Sequence, residues 1–200
     1  QIPQATKYIF WLPTWRTTNL EGEWQGEITN DTGLPVLESM EMVRQLNNLL
    51  QECDAVLLVK LHPWQDRSRL GDIAMSNIVV LENDTLAKAD MQISSILGHA
   101  DALISDYSSV AVDYTLLDRP IALTVDDEKE YANSRGFLWE DIRDWLPGSE
   151  IASFEDFLVF VRNVTEGKDL CREKRRSLDK KFHAFDDDKN AARVIETLGI

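Results

Sequence analysis

Cysteine, histidine and basic side chains are all scarce in this chain. Its 200 residues include two cysteines and three histidines, and 21 Lys plus Arg stand against 35 Asp plus Glu. Cys53 and Cys171 form no Cys-x-x-Cys pair and make no disulfide framework. They read as ordinary thiols of a reducing compartment. No spacing of histidine, cysteine and carboxylate marks a metal site, and nothing in the residues calls for a metal or any other cofactor. The net charge of −14 argues against nucleic acid as the main partner, because a polyphosphate backbone needs a basic footprint. It argues equally against a broad face lying on an anionic membrane. No apolar run approaches the roughly 20 residues of a membrane span. An acidic chain still allows one anionic ligand, held locally by a helix start and two or three basic side chains.

What is present suits one α/β domain over residues 1–200. The apolar fraction is 44%, with six Trp, ample for a core. Five short apolar runs, Tyr8–Leu12, Ala55–Leu61, Ile78–Leu81, Ala102–Ile104 and Ile121–Val125, read as buried strands. Helical spacing appears in Leu37–Cys53 (Val43, Leu46, Leu49, Leu50), in Met91–Ala100, at Val110, Tyr114 and Leu117, in Phe154–Val164, and at Ala191, Val194, Ile195 and Leu198. Strands alternating with helices predict a Rossmann-like parallel sheet with flanking helices. Residues 17–36 are polar and aperiodic, a long loop of the kind that is often functional. Arg172–Lys181 is the one basic cluster; such runs are usually solvated helix faces, and contact with an anionic acceptor is the rarer reading.

Asp101–Pro120 organises the rest. It reads as strand, tight turn, helix and stop. The turn Ser105–Ser109 lies where a strand ends and a helix begins, so free N–H groups and the positive helix dipole suit an anion there. Ser108 and Ser109 can add hydroxyl donors; alternatively, Asp106 or Ser108 only caps the helix. Two further loops follow strands directly, Pro13-Thr14-Trp15-Arg16 and Lys60-Leu61-His62-Pro63. Open α/β sheets place ligands at that edge. Arg16 is either a planar fork for phosphate or a surface arginine beside a packed Trp. His62 can exchange a proton near neutral pH or donate to a phosphate, or it is a loop histidine without a duty. Lys60 lies on the same side of a regular strand as His62, and reads more simply as a strand-end charge. Arg135 is a second candidate phosphate clamp. His99, late in a helix, takes no catalytic role.

The pieces Asp106-Tyr107-Ser108-Ser109, Asp113-Tyr114 and Arg119-Pro120 together resemble the most recognisable motif of the CDP-glycerol glycerophosphotransferases, the teichoic acid polymerases and primases of bacterial cell walls. Pro13-Thr14-Trp15-Arg16, Lys60-Leu61-His62-Pro63, Tyr131 with Arg135-Gly136-Phe137, and Asp188-Lys189 ahead of Arg193-Val194 follow in that family's order. The resemblance implies two Rossmann-like domains facing across a cleft, the GT-B arrangement, with this chain as the carboxyl-terminal, donor-binding half. The missing N-terminal domain would carry a second active-site histidine. The donor would be CDP-glycerol or CDP-ribitol, the acceptor polymer or lipid-linked, and the reaction transfer of an alditol phosphate to a hydroxyl. His62 would be catalytic, with donor contacts from Arg16, Asp106, Ser108, Ser109, Arg119 and Arg135. The enzyme would be cytoplasmic, with the full-length protein peripheral at the inner face of the cell membrane. The start at Gln1, entering an apolar run within seven residues, reads as a piece of a longer protein. Two rivals remain: a sugar-nucleotide glycosyltransferase of the same fold, and a receiver-like binding module. A receiver needs an acidic pocket ending its first strand, and Tyr8–Arg16 contains no acid.

Overall fold

In the computed structural model the description covers residues 2–14, 30–62, 73–88, 90–134 and 136–199. Six strands form one wholly parallel sheet: β1 (Lys7–Trp11), β2 (Ala55–Val59), β3 (Ile78–Val80), β4 (Ala102–Ser105), β5 (Ile121–Thr124) and β6 (Ser149–Ile151), in the order β3-β2-β1-β4-β5-β6. The strands are runs of apolar residues because both faces are covered, as parallel sheets require. Every residue of β2 and β4 is buried. Alternate side chains divide between two cores. Ile9, Trp11, Leu57, Val59 and Ile104 face one, and Phe10, Val56, Leu58, Leu103 and Leu123 the other.

The first core is closed by α1 (Met40–Glu52) and α6 (Phe154–Thr165). Each begins at a serine whose hydroxyl accepts from the helix: Ser39 from Met42 N–H at 3.3 Å and Ser153 from Asp156 N–H at 3.2 Å. The Trp11 ring stands edge-on to Phe157, centroids 5.1 Å apart. The second core is closed by α3 (Ile93–Leu97) and by α4 (Val110–Tyr114), which continues as a 3₁₀ turn to Leu117. Upstream, α2 (Asn83–Lys88) precedes α3, and downstream come α5 (Glu128–Ser134), α7 (Arg172–Phe182) and α8 (Asn190–Leu198).

The five expected strands are all present, each within two residues of its expected end. The sixth, β6, is a finding of the structure. Ser149-Glu150-Ile151 has one buried position, too short to show a period. It pairs with β5 because Gly148 lets the backbones meet: a Cβ there would fall 2.2 Å from the Ile121 carbonyl oxygen. The expected helix Met91–Ala100 is shorter, and α2 was not anticipated. Asp90, in the left-handed region at φ 51°, turns the chain between α2 and α3. The basic run is also not simply solvated. Arg175 is fully buried and donates to Asp169 (2.5 Å) and Asp118 (2.9 Å), while Arg172 and Arg176 reach the same Asp118 carboxylate at 3.2 and 2.8 Å. Burial pushes the Asp118 carboxyl up, but the three guanidinium groups outweigh it and hold it below the usual range. These pairs fasten α7 to the turn that ends the α4 segment.

That turn fixes the amino edge of the sheet. Tyr114 Oη donates to the Ala100 carbonyl at 2.8 Å. Arg119 Nη1 donates to the carbonyls of Gly98 (2.9 Å) and Ala100 (2.5 Å). Ala100 lies just before β4 and Arg119 just before β5, so both stand where parallel strands begin. Arg119, expected among the donor contacts, is therefore on the wrong edge and serves the scaffold.

Burial pushes the Tyr114 hydroxyl up to about 12. An unfolded tyrosine ionises near pH 10, so the folded state holds this proton longer. The stabilisation is complete below about pH 10 and is lost as pH rises towards 12. We expect the wild-type chain to lose about 2–3 kcal/mol from this source across that window. Tyr114→Phe should lack that component, as denaturant titrations at pH 8, 10 and 11.5 would show.

Candidate functional site

The chain leaves β1 for β2 on one side and returns to β4 on the other. The loops after β1 and β4 therefore part company at the carboxyl edge, which is where a doubly wound sheet opens a crevice. Several bonds set that edge. Asp106, directly after β4, is fully buried, and its Oδ2 accepts from both the backbone N–H and the hydroxyl of Thr14, each at 2.6 Å. Leu12 N–H donates to Ile104 O at 2.9 Å, and the Thr124 hydroxyl to Ser105 O at 3.2 Å. On the other flank Lys60 N–H donates to Trp11 O at 2.9 Å. β2 stops at Val59, two residues short of the expected Leu61, so Lys60, Leu61 and His62 lie in the loop rather than in the strand.

The loops surround a cavity of about 530 Å³. Its polar lining is Thr14, Lys60, His62, Asn83, Gln92 and Ser108, and Leu86, Met91, Ile93 and Val110 form part of its apolar wall. Among the described residues that line it there is no Asp or Glu. A second hollow, about 370 Å³, lies beyond β5 and has the opposite character. Among the described residues Asp126, Asp127, Glu128 and Glu130 line it together with Lys129 and Arg143, and Arg143 is paired with Glu128 (2.7 Å) and Glu150 (2.8 Å). With four carboxylates against two cations in its described lining, the second hollow is the less favourable of the two for an anion.

The motif Asp106–Ser109 thus divides its work. Asp106 supports the loop from behind. It was expected as a ligand contact or a helix cap, and its Oδ2 is turned to Thr14. The Tyr107 ring packs against Tyr131 (4.6 Å) and Phe137 (4.8 Å), which are themselves stacked at 5.2 Å. This ties the loop to α5, through Tyr131, and to the segment after it, through Phe137. Ser108 lines the cavity. Ser109 begins α4 from an exposed position, its hydroxyl making no capping bond. His62 and Ser108, predicted to converge, line one cavity. Arg16 and Arg135 lie outside the described residues. Arg119 is at the amino edge.

Two parts of the site escaped the sequence reading. Thr14 was visible only as a member of a loop motif, with no sign that it meets Asp106, 92 positions away. The apolar wall depends on α2, whose signal, Asn83-Asp84 ahead of Leu86-Ala87, is a polar helix start before only two apolar residues.

The strand order and the cleft at its switch point define a Rossmann-like α/β domain. Solved structures agree on the fold. The wall teichoic acid polymerase TagF superposes with a TM-score of 0.67 at 22% identity, over 99% of this chain and 44% of that one. A TagF variant soaked with CDPG gives 0.64 at 22% identity, over 99% and 42%. The calicheamicin glycosyltransferase CalG4 gives 0.56 at 15% identity, over 100% and 44%. The sequence narrows the class. The family model for CDP-Glycerol:Poly(glycerophosphate) glycerophosphotransferase matches residues 1–199, and the chain belongs to that family. A teichoic acid glycerol-phosphate transferase of Staphylococcus aureus is 27% identical over 202 residues, 98% of this chain and 46% of the relative. The chain thus spans about half the length of that relative.

If Asp106 holds the cleft, removing its carboxylate leaves two Thr14 donors without their acceptor. We expect Asp106→Ala to destabilise the chain by about 1–3 kcal/mol, the cost of one abandoned donor, because Thr14 is only half-buried and water reaches it in part. Chemical denaturation measures this; a loss below about 0.5 kcal/mol would contradict the supporting role.

Proposed function

We propose that the protein to which this chain belongs transfers glycerol phosphate, or ribitol phosphate, from a CDP-alditol to an acceptor hydroxyl in the synthesis of a teichoic-acid-like polymer, and that the cleft at the switch point receives the CDP donor. One observation carries this reading. In a chain of net charge −14, the cavity at the carboxyl edge has no carboxylate in its described lining, and it contains His62, Ser108, Thr14 and a lysine. Membership of the glycerophosphotransferase family and the fold shared with the polymerase TagF supply the substrate class. The acceptor would be a growing polymer or a lipid-linked primer, met by the whole enzyme at the inner face of the cell membrane.

In this reading the acceptor oxygen attacks the phosphorus that bears the alditol. A new P–O bond forms, the bond to the bridging oxygen breaks, and CMP leaves with that oxygen. The acceptor proton has to be taken up, and the developing charge on the leaving phosphate has to be met. His62 takes the proton, the residue type suited to exchange near neutral pH. Ser108 and Ser109 hold the diphosphate at the start of α4 by hydroxyl and backbone N–H. Little covalent chemistry is asked of the protein; positioning and charge do most of the work.

Calorimetric titration of the chain with CDP-glycerol and with a UDP-sugar tests the donor class: CDP-glycerol should bind and the UDP-sugar should not. The reverse preference would favour a sugar-nucleotide glycosyltransferase. The double variant Ser108→Ala, Ser109→Ala should weaken CDP-glycerol by about 1–3 kcal/mol. In the full-length enzyme His62→Ala should lower turnover roughly 100-fold or more, with a much smaller loss of donor affinity. Equal losses in both would make His62 a phosphate anchor instead.

A further inference from the structure

We infer that Lys60 meets phosphate charge in this cleft, pairing with the donor diphosphate and then with the CMP that leaves. The inference rests on the donor reading above. As a sequence feature Lys60 is no more than a charge at a strand end. The structure gives it a different setting. Because β2 ends at Val59, Lys60 is the first residue of the cleft loop, and its N–H is tied to Trp11 O at 2.9 Å. Its side chain is half-buried and curls over that loop, Nζ donating to Leu61 O at 2.8 Å. It lines the same cavity as His62, Thr14 and Ser108. A lysine that serves only solubility extends into water; this one is turned along the cleft.

The chemistry separates two tasks that His62 cannot perform at once. To take the acceptor proton His62 must be neutral when attack begins. A neutral imidazole offers no positive charge to the diphosphate or to the departing CMP. Among the described lining residues only Lys60 and His62 can be cationic, so of these two Lys60 is the one that supplies charge while His62 is neutral. An ammonium is a compact point charge on a flexible stem, able to leave the Leu61 carbonyl for a phosphate oxygen and to follow it as the P–O bond breaks. Thr14 and Ser108 offer neutral donors to the same oxygens.

The test is a titration of the 200-residue chain with CDP and with CMP, comparing wild type, Lys60→Met and Lys60→Arg, with thermal unfolding to confirm that each is folded. Wild type should bind CDP more tightly than CMP. Lys60→Met should weaken CDP roughly 10- to 100-fold, the scale of a lost hydrogen bond to a charged group. The ratio of CMP to CDP dissociation constants should shrink towards one, and Lys60→Arg should restore most of it. Should the Met variant not fold, Lys60→Gln, which keeps a donor for Leu61 O without the charge, gives the same comparison. If wild type binds CDP and the uncharged variants keep both the affinity and the ratio, Lys60 has no such role while the donor reading stands. If wild type binds neither nucleotide at millimolar concentration, the donor reading falls and this inference with it.

Discussion

The cleft depends on one buried carboxylate. Asp106 stands fully buried at the end of β4 and accepts two bonds of 2.6 Å from Thr14, at the end of β1. These strands are neighbours in the sheet but the chain runs away from them in opposite directions. Nothing in the strand pairing itself fixes how their loops lie. Two short bonds to one oxygen do so, and they bring Thr14 and Ser108 to one cavity. The bond from Lys60 N–H to Trp11 O adds the third loop, the one that bears His62. A catalytic group must be held to within a fraction of an ångström to be useful, and three loops on three strand ends reach that only when they are tied together.

The family motif joins two jobs at opposite ends of the sheet. Its first half, Asp106–Ser109, builds the carboxyl edge. Its second half, Tyr114 and Arg119, closes the amino edge by sharing the Ala100 carbonyl. Between them α4 and its 3₁₀ turn run back along the sheet, eight residues and about 12 Å at helical rise. Asp118, held at φ 47°, ends this segment and receives Arg172, Arg175 and Arg176 from α7. A segment pinned at one end by a buried carboxylate and at the other by arginine pairs presents Ser108 at a fixed height above the sheet. The most recognisable residues of the motif are thus not all ligand contacts.

Much of this was legible in the residues. Apolar runs such as Ala55–Val59 announce buried parallel strands, and His62 and Ser108 announce themselves by following such runs directly. β6 was not legible, because its pairing with β5 rests on Gly148 having no Cβ rather than on any pattern in Ser149-Glu150-Ile151. The partner of Asp106 was hidden because hydrogen bonds across 92 positions leave no local trace. Arg119 was misassigned for a different reason. Its motif companions drew it towards the ligand, although a residue just before a parallel strand must lie at the amino edge. The basic run of α7 is mostly the solvated face its charge pattern announces, but that pattern could not show that Arg175 is buried against Asp118 and Asp169.

The central claim is that the tied loops of β1, β2 and β4 form a nucleotide diphosphate site. A crystal structure of the chain soaked with CDP tests it most directly. The account predicts density for the diphosphate between the Thr14 and Ser108 loops, within hydrogen-bonding distance of Ser108 and His62, with the nucleoside against the wall of Leu86, Met91 and Ile93. Density instead at the amino edge beside Arg119, or in the acidic hollow beyond β5, would contradict it.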